Sequence, residues 1–452
     1  MNNSNFYDVT KCDFGNPYED IGKVINDIIA EVKVKQAKSC SNGNGKPGAV
    51  IYLPPADYHL KTQVVIDISF LKVVGSGHGF TSSSIRFNVP KKDWSNLHEL
   101  WPGGSRIIND LPVDSTSSEK TGAAFLVERD GDPRISSVEF SNFNIDGLHF
   151  VDDGANDDNP ENSYVNNKTG IYVASAQDSF RITGMGFIYL EHGIVVYHAD
   201  ALTIHNNFIA ECGNCIELRG WGQASKVTDN LMGAGYKGYS IYAQNFAQLL
   251  VSTNNIFPRG ASTIYFEQVT RSLLSNNILH AFYPGMVVLK KVSSENLISS
   301  NHFLRDHEPW QPMQTHDNGI VDSYGLLAID GNNNTVTNNH FSEIIDKKYL
   351  KPSGVTPVII HVVDGSSNYI SNNNVVASEA HSEIGESAFK SQVGALLTTQ
   401  QSSVIQTINV LIEKNSRNNT ILDSGTDEQI LLDKSVNAIR FTPKVPNGEK
   451  IL

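Results

Sequence analysis

The sequence predicts an all-β fold, a right-handed parallel β-helix closed at its start by a capping helix. Three observations carry this. A six-residue pattern, apolar–x–x–Asn–x–apolar, recurs seven times between Ile204 and Val375. The first five pattern asparagines, Asn207, Asn230, Asn254, Asn277 and Asn301, stand 23, 24, 23 and 24 residues apart. A period in the low twenties, made of short β-favouring runs, is the length of one solenoid coil. The apolar flanks also keep fixed offsets, which a disordered Asn-rich tract has no reason to do. Each pattern asparagine is expected at a corner, bonding its amide to the coils on either side and tolerating a left-handed backbone.

Residues 1–48 read as an N-terminal cap and loop. Apolar residues recur at helical spacing from Ile21 to Val34, and Ser39 to Pro47 is rich in Ser, Asn and Gly. Residues 49–430 read as the β-helix. Val50 to Leu53 and Leu71 to Val74 open it, and Phe140 to Ile145 and Ile182 to Phe187 follow with Phe143 and Met185 at the ladder position. Looser copies come around Asn339 and Asn373, and Asn418 to Leu422 suggests a final coil before an irregular tail, 431–452. Long polar insertions interrupt the coils at Pro90 to Glu119, Val151 to Lys168, Arg305 to Ser323 and Glu343 to Pro357. Insertions of a solenoid gather on one face, where binding is common.

The 40% hydrophobic and 18% charged content is that of an ordered globular protein. A net charge of -13 argues against a nucleic-acid partner, and neutral substrates such as sugars stay compatible. No apolar run approaches the roughly 20 residues that span a bilayer, so no membrane partner is expected. The first residues show neither a basic start nor an apolar run, which predicts a cytoplasmic protein, or an extracellular one if a signal has been removed. Cys212 and Cys215 lack a second pair at zinc spacing and read as buried, reduced thiols, with no metal or organic cofactor expected. The Gly75 to Gly79 segment lacks the lysine and helix of a phosphate loop and reads as a tight turn.

The residue before each ladder asparagine should point outward, which singles out Asn206. Eleven residues on, strand alternation in Cys215-Ile216-Glu217-Leu218 turns Glu217 outward as well. Two outward groups on either side of a bend can hold a sugar between them, although both also read as solvated surface residues. Arg259, Tyr283, Trp221, Gln244, Gln268 and Trp310 carry side chains that bond to or stack on sugar rings.

Gly75-Ser76-Gly77-His78-Gly79-Phe80-Thr81-Ser82-Ser83-Ser84-Ile85-Arg86 resembles the N-terminal signature of glycoside hydrolase family 91. Asn207 to Cys215, Phe257-Pro258-Arg259-Gly260 and Tyr283-Pro284-Gly285-Met286 are similar to the same family, and the likeness covers most of the chain. The resemblance implies a trimeric right-handed β-helix with active sites at subunit interfaces. It also implies one of two reactions at the anomeric carbon of fructofuranosyl units. These are hydrolysis of difructose dianhydride III to inulobiose, or release of a dianhydride from inulin chain ends. The family's catalytic pair is an Asp and a Glu eleven residues apart. Glu217 fits the second, but Asn206 stands where the Asp is expected, and an amide exchanges no proton as a carboxyl does. An inactivated Asp-to-Asn variant is one explanation of Asn206. Asp200 and Glu211 share the spacing without the outward corner position and rank second.

Two other functions fit a β-helix. A polygalacturonase carries paired aspartates and a late Gly-His-Gly, whereas Gly77-His78-Gly79 precedes the ladder here. A non-catalytic carbohydrate-binding β-helix would show no turnover even after Asn206→Asp.

Overall fold

The computed structural model describes residues 5–41, 46–79, 103–131, 134–147, 166–174, 178–234, 238–257, 260–305, 321, 324–345, 350, 352–379, 405–422, 431–433 and 440–442. They fall into two compact units, 1–235 and 236–452. Every pairing between strands within them is parallel, and each coil contributes one strand in turn to a first, a second and a third sheet. The fold is the right-handed parallel β-helix.

In the first unit the helix Ile21–Ser41 runs seven residues past the predicted Val34. Ile21, Val24, Ile25, Ile28, Ile29 and Val32 are buried, a stripe at helical spacing that covers apolar surface at the start of the stack. Asp20 caps it, accepting from the amides of Lys23, Lys61 and Thr62. The cap also holds a strand the sequence reading missed, Phe6–Asp8, paired with Ala49–Leu53. Along the first sheet Ile51, Val73, Phe140, Ile182, Ile204 and Val227 form one buried column, each in register with the next. Phenylalanines fill the interior beside it, with the Phe125 and Phe140 rings 5.0 Å apart and edge-to-face. Cys212 and Cys215 are buried free thiols, as predicted, and burial pushes Cys212 up to about 12.

The asparagine ladder is present in both units. Asn207 donates its backbone N–H and its amide to Asn230 Oδ1, at 3.0 and 2.9 Å. Met185 N donates to Asn207 Oδ1 at 2.9 Å, which puts Met185 at the ladder position as expected. In the second unit the same bonds join Asn254, Asn277, Asn301, Asn339 and Asn373, at 2.9–3.0 Å for the side chains. A second ladder there was not foreseen. Asn296, Asn334, Asn368 and Asn419 bond in series at the corner from third to first sheet. One expectation is corrected. The left-handed backbone belongs to the residue before each ladder asparagine, with φ of 54° to 58° at Asn206, Asp229, Thr253, Asn276, Ser300, Asn338 and Asn372.

The Gly75 to Gly79 segment is a turn. Gly77 N donates to Asn142 O at 2.8 Å, and Gly79 has φ of 57° and lies so close to Gly103 O that no Cβ would fit. The longest insertion of the first unit, 76–104, lies between first and second sheets, and the other long ones in both units leave from one corner, between second and third sheets. They follow the strands Ser105–Asn109 and Asn144–Asp146 in the first unit. In the second they follow His302–Arg305, His340–Ile345 and Asn374–Glu379. Of the insertions named from sequence, Pro90 to Glu119 alone begins before a second-sheet strand. Strand pairing also continues into the expected tail. Leu431–Asp433 pairs with Ile408–Ile412 and Arg440–Thr442 with Thr420–Leu422.

Candidate active site

The third-sheet strands Thr169–Val173, His192–Asp200 and Asn214–Gln223 carry the site in the first unit. Their inward residues Ile171, Ile194 and Ile216 stack in register, so Tyr172, Val195 and Glu217 form the outward row. Glu217 faces outward as predicted, yet it is only 2% exposed. His192 Nδ1 hydrogen-bonds one carboxylate oxygen, and Arg219 Nη2 donates to the other. Arg219 Nη1 reaches both oxygens of Glu119 at 2.9 Å and Tyr197 Oη at 3.1 Å. A single guanidinium thereby ties the loop carrying Glu119 to the strand carrying Glu217.

A cavity of about 360 Å³ opens beside this network, lined by Ser117, Ser118, Glu119, Lys120, Asn167, Tyr172, Glu191 and His192. Its floor is the third sheet and its walls come from the corner between second and third sheets. Glu191 is fixed there by the Asn167 backbone N–H, which donates to Oε2 at 2.7 Å. Burial alone would raise the Glu217 pKa, but His192 and Arg219 outweigh it and hold the carboxyl below its ordinary range. Burial likewise opposes charge on His192, and Glu217, with Glu119 and Glu191 behind it, raises the imidazole above its ordinary value. The two shifts run in opposite directions, so each partner favours the charged form of the other.

Asn206 occupies an exposed left-handed corner between Thr203–His205 and Phe208–Cys212. The whole second-sheet strand and the corner at Gly213 separate it from Glu217. Eleven residues is half a coil, so within one chain the second-sheet strand Phe208–Cys212 lies between the two positions. Next to Asn206 on the same edge, His205 Nδ1 lies 3.2 Å from Asp229 Oδ2. The second-ranked pair is also split. Asp200 accepts from Gln223 Nε2 at 3.4 Å, and Glu211 is buried at the corner from second to third sheet.

Trp221 is exposed and stacks on His198 at 5.6 Å, on the strand that carries Glu217. The register shifts between Tyr197 and Ala199, a bulge that re-aims this end of the pair. Gln244 and Gln268 belong to the second unit. Gln244 hydrogen-bonds Glu267, and Gln268 is exposed at a left-handed corner. Tyr283 was expected outward and is instead 1% exposed, because the segment Ala281 to Met286 packs inside the coil. Arg259 and Trp310 lie outside the described residues, as do most of Arg305 to Ser323 and the centre of Ser39 to Pro47. His192, Arg219, Glu119 and Tyr197 were not singled out from sequence. Arg219 was within reach, since it lies two residues after Glu217 and alternation puts both on one face.

A parallel β-helix with a buried glutamate–histidine pair beside a polar cavity is the framework of a solenoid enzyme suited to acid–base chemistry on a polar ligand. The model of the beta helix repeat of inulin fructotransferase matches residues 300–443, and that of periplasmic copper-binding protein (NosD) matches 131–318. Among the described residues, no group of three or more His, Cys, Asp or Glu is placed to hold a metal ion. The DFA-I-forming inulin fructotransferase of Arthrobacter globiformis is 44% identical over 377 residues, 82% of this chain and 89% of that protein. The DFA-IIIase of Arthrobacter chlorophenolicus A6 in complex with DFA-III is 61% identical, with a TM-score of 0.89 over 98% of this chain and 99% of that one. Its complex with GF2 matches at 61% identity and a TM-score of 0.88, with 98% and 100% covered. The chain belongs to the inulin fructotransferase family, glycoside hydrolase family 91.

Proposed function

We propose that this chain hydrolyses difructose dianhydride III to inulobiose. The observation that carries the reading is the likeness to a DFA-IIIase holding DFA-III, at 61% identity over 98% of the chain, against 44% over 82% for the DFA-I-forming relative. Hydrolysis at an anomeric C2 passes through an oxocarbenium-like state and needs one group to protonate the leaving oxygen and another to take a proton from water. Glu217 and its bonded His192 supply one half. Position 206 is the place for the other, and its amide cannot serve.

The half-coil separation of Asn206 and Glu217 supports a homotrimer in which position 206 of one chain meets Glu217 of the next across a groove. Trp221 on one wall and Gln244, Gln268, Arg259 and Trp310 are the side chains proposed to hold the sugar there. The reading is tested by supplying difructose dianhydride III and inulin separately to the chain and to Asn206→Asp, with chromatography of the products. Inulobiose from the dianhydride is the expected product, with Asn206→Asp faster by ~10²–10⁴-fold. A dianhydride released from inulin and no inulobiose would instead establish the forming reaction. Full activity with Asn206 in place would show that position 206 does not hold the missing carboxylate.

A further inference from the structure

We propose that Glu119 is a positioning residue for Glu217. From the wall of the cavity it holds Arg219 where that guanidinium also grips the Glu217 carboxyl, so that wall and acid–base group are set together. The proposal rests on the hydrolytic reading above, with Glu217 as one half of the acid–base pair, and adds what fixes that half in place.

The geometry carries it. Arg219 Nη2 donates to one Glu217 oxygen, and Nη1 faces both Glu119 oxygens at 2.9 Å. Nη1 also meets Tyr197 Oη at 3.1 Å. Tyr197 pairs in register with Arg219 from the neighbouring strand, its ring 5.9 Å from the guanidinium. A guanidinium is a flat fork, so partners at two of its corners fix both its plane and its position. Without Glu119 the long side chain keeps one carboxylate and a neutral phenol, and regains rotamer freedom. Glu217 feels that freedom, because its side chain is 3% exposed and one of its two oxygens rests on Arg219. The other oxygen is bonded to His192.

Glu119 stands 100 residues before Arg219 and lines the cavity beside Ser117, Ser118 and Lys120. Its loop has other anchors. Gln63 Nε2 donates to Lys120 O at 2.7 Å, Lys120 Nζ reaches Glu128 at 2.6 Å, and Asn167 Nδ2 donates to Asp114 O at 3.0 Å. The loop is therefore built without Glu119, and what its carboxylate adds is the tie to Arg219.

Charge follows the same tie. Within the first unit Glu217 is faced by His192 and Tyr197 from the adjacent strand and by Tyr172 from the strand beyond. Arg219 faces it from its own strand, Glu119 from the wall and Glu191 from the preceding corner. Arg219 is shared between the Glu119 and Glu217 carboxylates. With the Glu119 charge removed, the guanidinium acts on Glu217 alone and makes that carboxyl more acidic. His192 loses an anion 3.7 Å from Nε2 and becomes more acidic too. An ion pair that only pins a surface loop would change neither.

The test measures steady-state hydrolysis of difructose dianhydride III against pH. It uses the faster of two backgrounds, the chain as it stands or its Asn206→Asp variant. Glu119→Gln should lower kcat by ~10–10²-fold with KM changed only a few-fold, because a displaced acid–base group costs turnover and not binding. At least one limb of the kcat profile should move to lower pH by about 0.5 unit or more. Glu119→Asp keeps the charge and should hold the limbs within about 0.2 unit of the background. Arg219→Lys carries a point charge that cannot grip two carboxylates, so combining it with Glu119→Gln should cost little beyond the larger single loss. Three results overturn the proposal and leave the hydrolytic reading intact. They are a Glu119→Gln kcat within about threefold of background, limbs that do not move, and losses of the two variants that multiply. A rise in KM at unchanged kcat overturns it as well, and makes Glu119 a sugar contact. Inulobiose formed by neither background refutes the hydrolytic reading itself. The same variants are then measured on dianhydride release from inulin, where the same outcomes decide.

Discussion

Asn301→Ala should destabilise the second unit by about 3–5 kcal/mol, and the figure follows from its bonds. The side chain accepts from Asn277 N at 3.0 Å and Asn277 Nδ2 at 2.9 Å. It donates to Leu274 O at 2.9 Å, Ser299 O at 3.2 Å and Asn339 Oδ1 at 3.0 Å. The two Nδ2 hydrogens serve three acceptors, so four bonds at about 0.5–1.5 kcal/mol each bracket the loss at roughly 2–6 kcal/mol. The upper part is not reached, because Asn277 Nδ2 still donates to Val251 O and Ser275 O. The Asn277 backbone N–H is the costliest loss, since it is left buried inside the stack. Urea unfolding reads the stability and amide exchange at Asn277 reads the local event. A loss below about 1 kcal/mol with unchanged exchange at Asn277 would refute the ladder as a source of stability.

Other consequences are open to measurement. Arg305 and Glu343 form an ion pair with both side chains at 0% exposure, so Arg305→Ala should cost about 3–5 kcal/mol in denaturant unfolding. The double change Arg305→Met with Glu343→Leu should recover most of that, because no charge is then left buried and unpaired. Val292 is exposed and β-branched at φ of 63°, so Val292→Asn should raise stability by about 1 kcal/mol, read as a higher melting temperature. The Glu217–His192 pair gives a pH signature. The lowered Glu217 pKa supplies stability present above about 4.3 and lost as pH falls through the lowered value. The raised His192 pKa supplies stability present below about 6.5 and lost as pH rises through the raised value. Thermal melts across pH should show both limbs flattened by Glu217→Gln.

The coils were legible because their period is written in residues that cannot be exchanged freely. An inward β-branched or aromatic residue and a corner amide recur wherever the stack needs them, and Ile204, Val227 and Asn207 alone locate the frame. The second ladder escaped notice because Asn296, Asn334, Asn368 and Asn419 have no evenly spaced run before them, whereas Asn339 and Asn373 follow the regular series from Asn207 to Asn301. The left-handed corner was placed one residue late, since Asn206 and Asn207 look alike in sequence and only the backbone tells which one turns. Glu217 was legible through alternation. Its burial was not, because it is engaged by His192 from the neighbouring strand and by Arg219, itself held by Glu119 from 100 residues earlier, and no local pattern reports that. Tyr283 was misjudged for a related reason. A tyrosine beside Pro284 and Gly285 reads as a surface loop until the coil packs over it.

Between Asn301 and Asn339 the chain travels 38 residues instead of the 24 that separate Asn277 from Asn301, yet the amide bond across the gap is 3.0 Å, against 2.9 Å. The extra length leaves and returns at one corner and the stack does not register it. A flexible loop costs only about 0.6 kcal/mol more for each doubling of its length. Selection can therefore lengthen, shorten or replace the chain at that corner while the coils keep their stability. The corner between second and third sheets also supplies the walls of the cavity beside His192. New sugar specificities in this scaffold should arise there by changes in loop length, with few substitutions in the strands beneath.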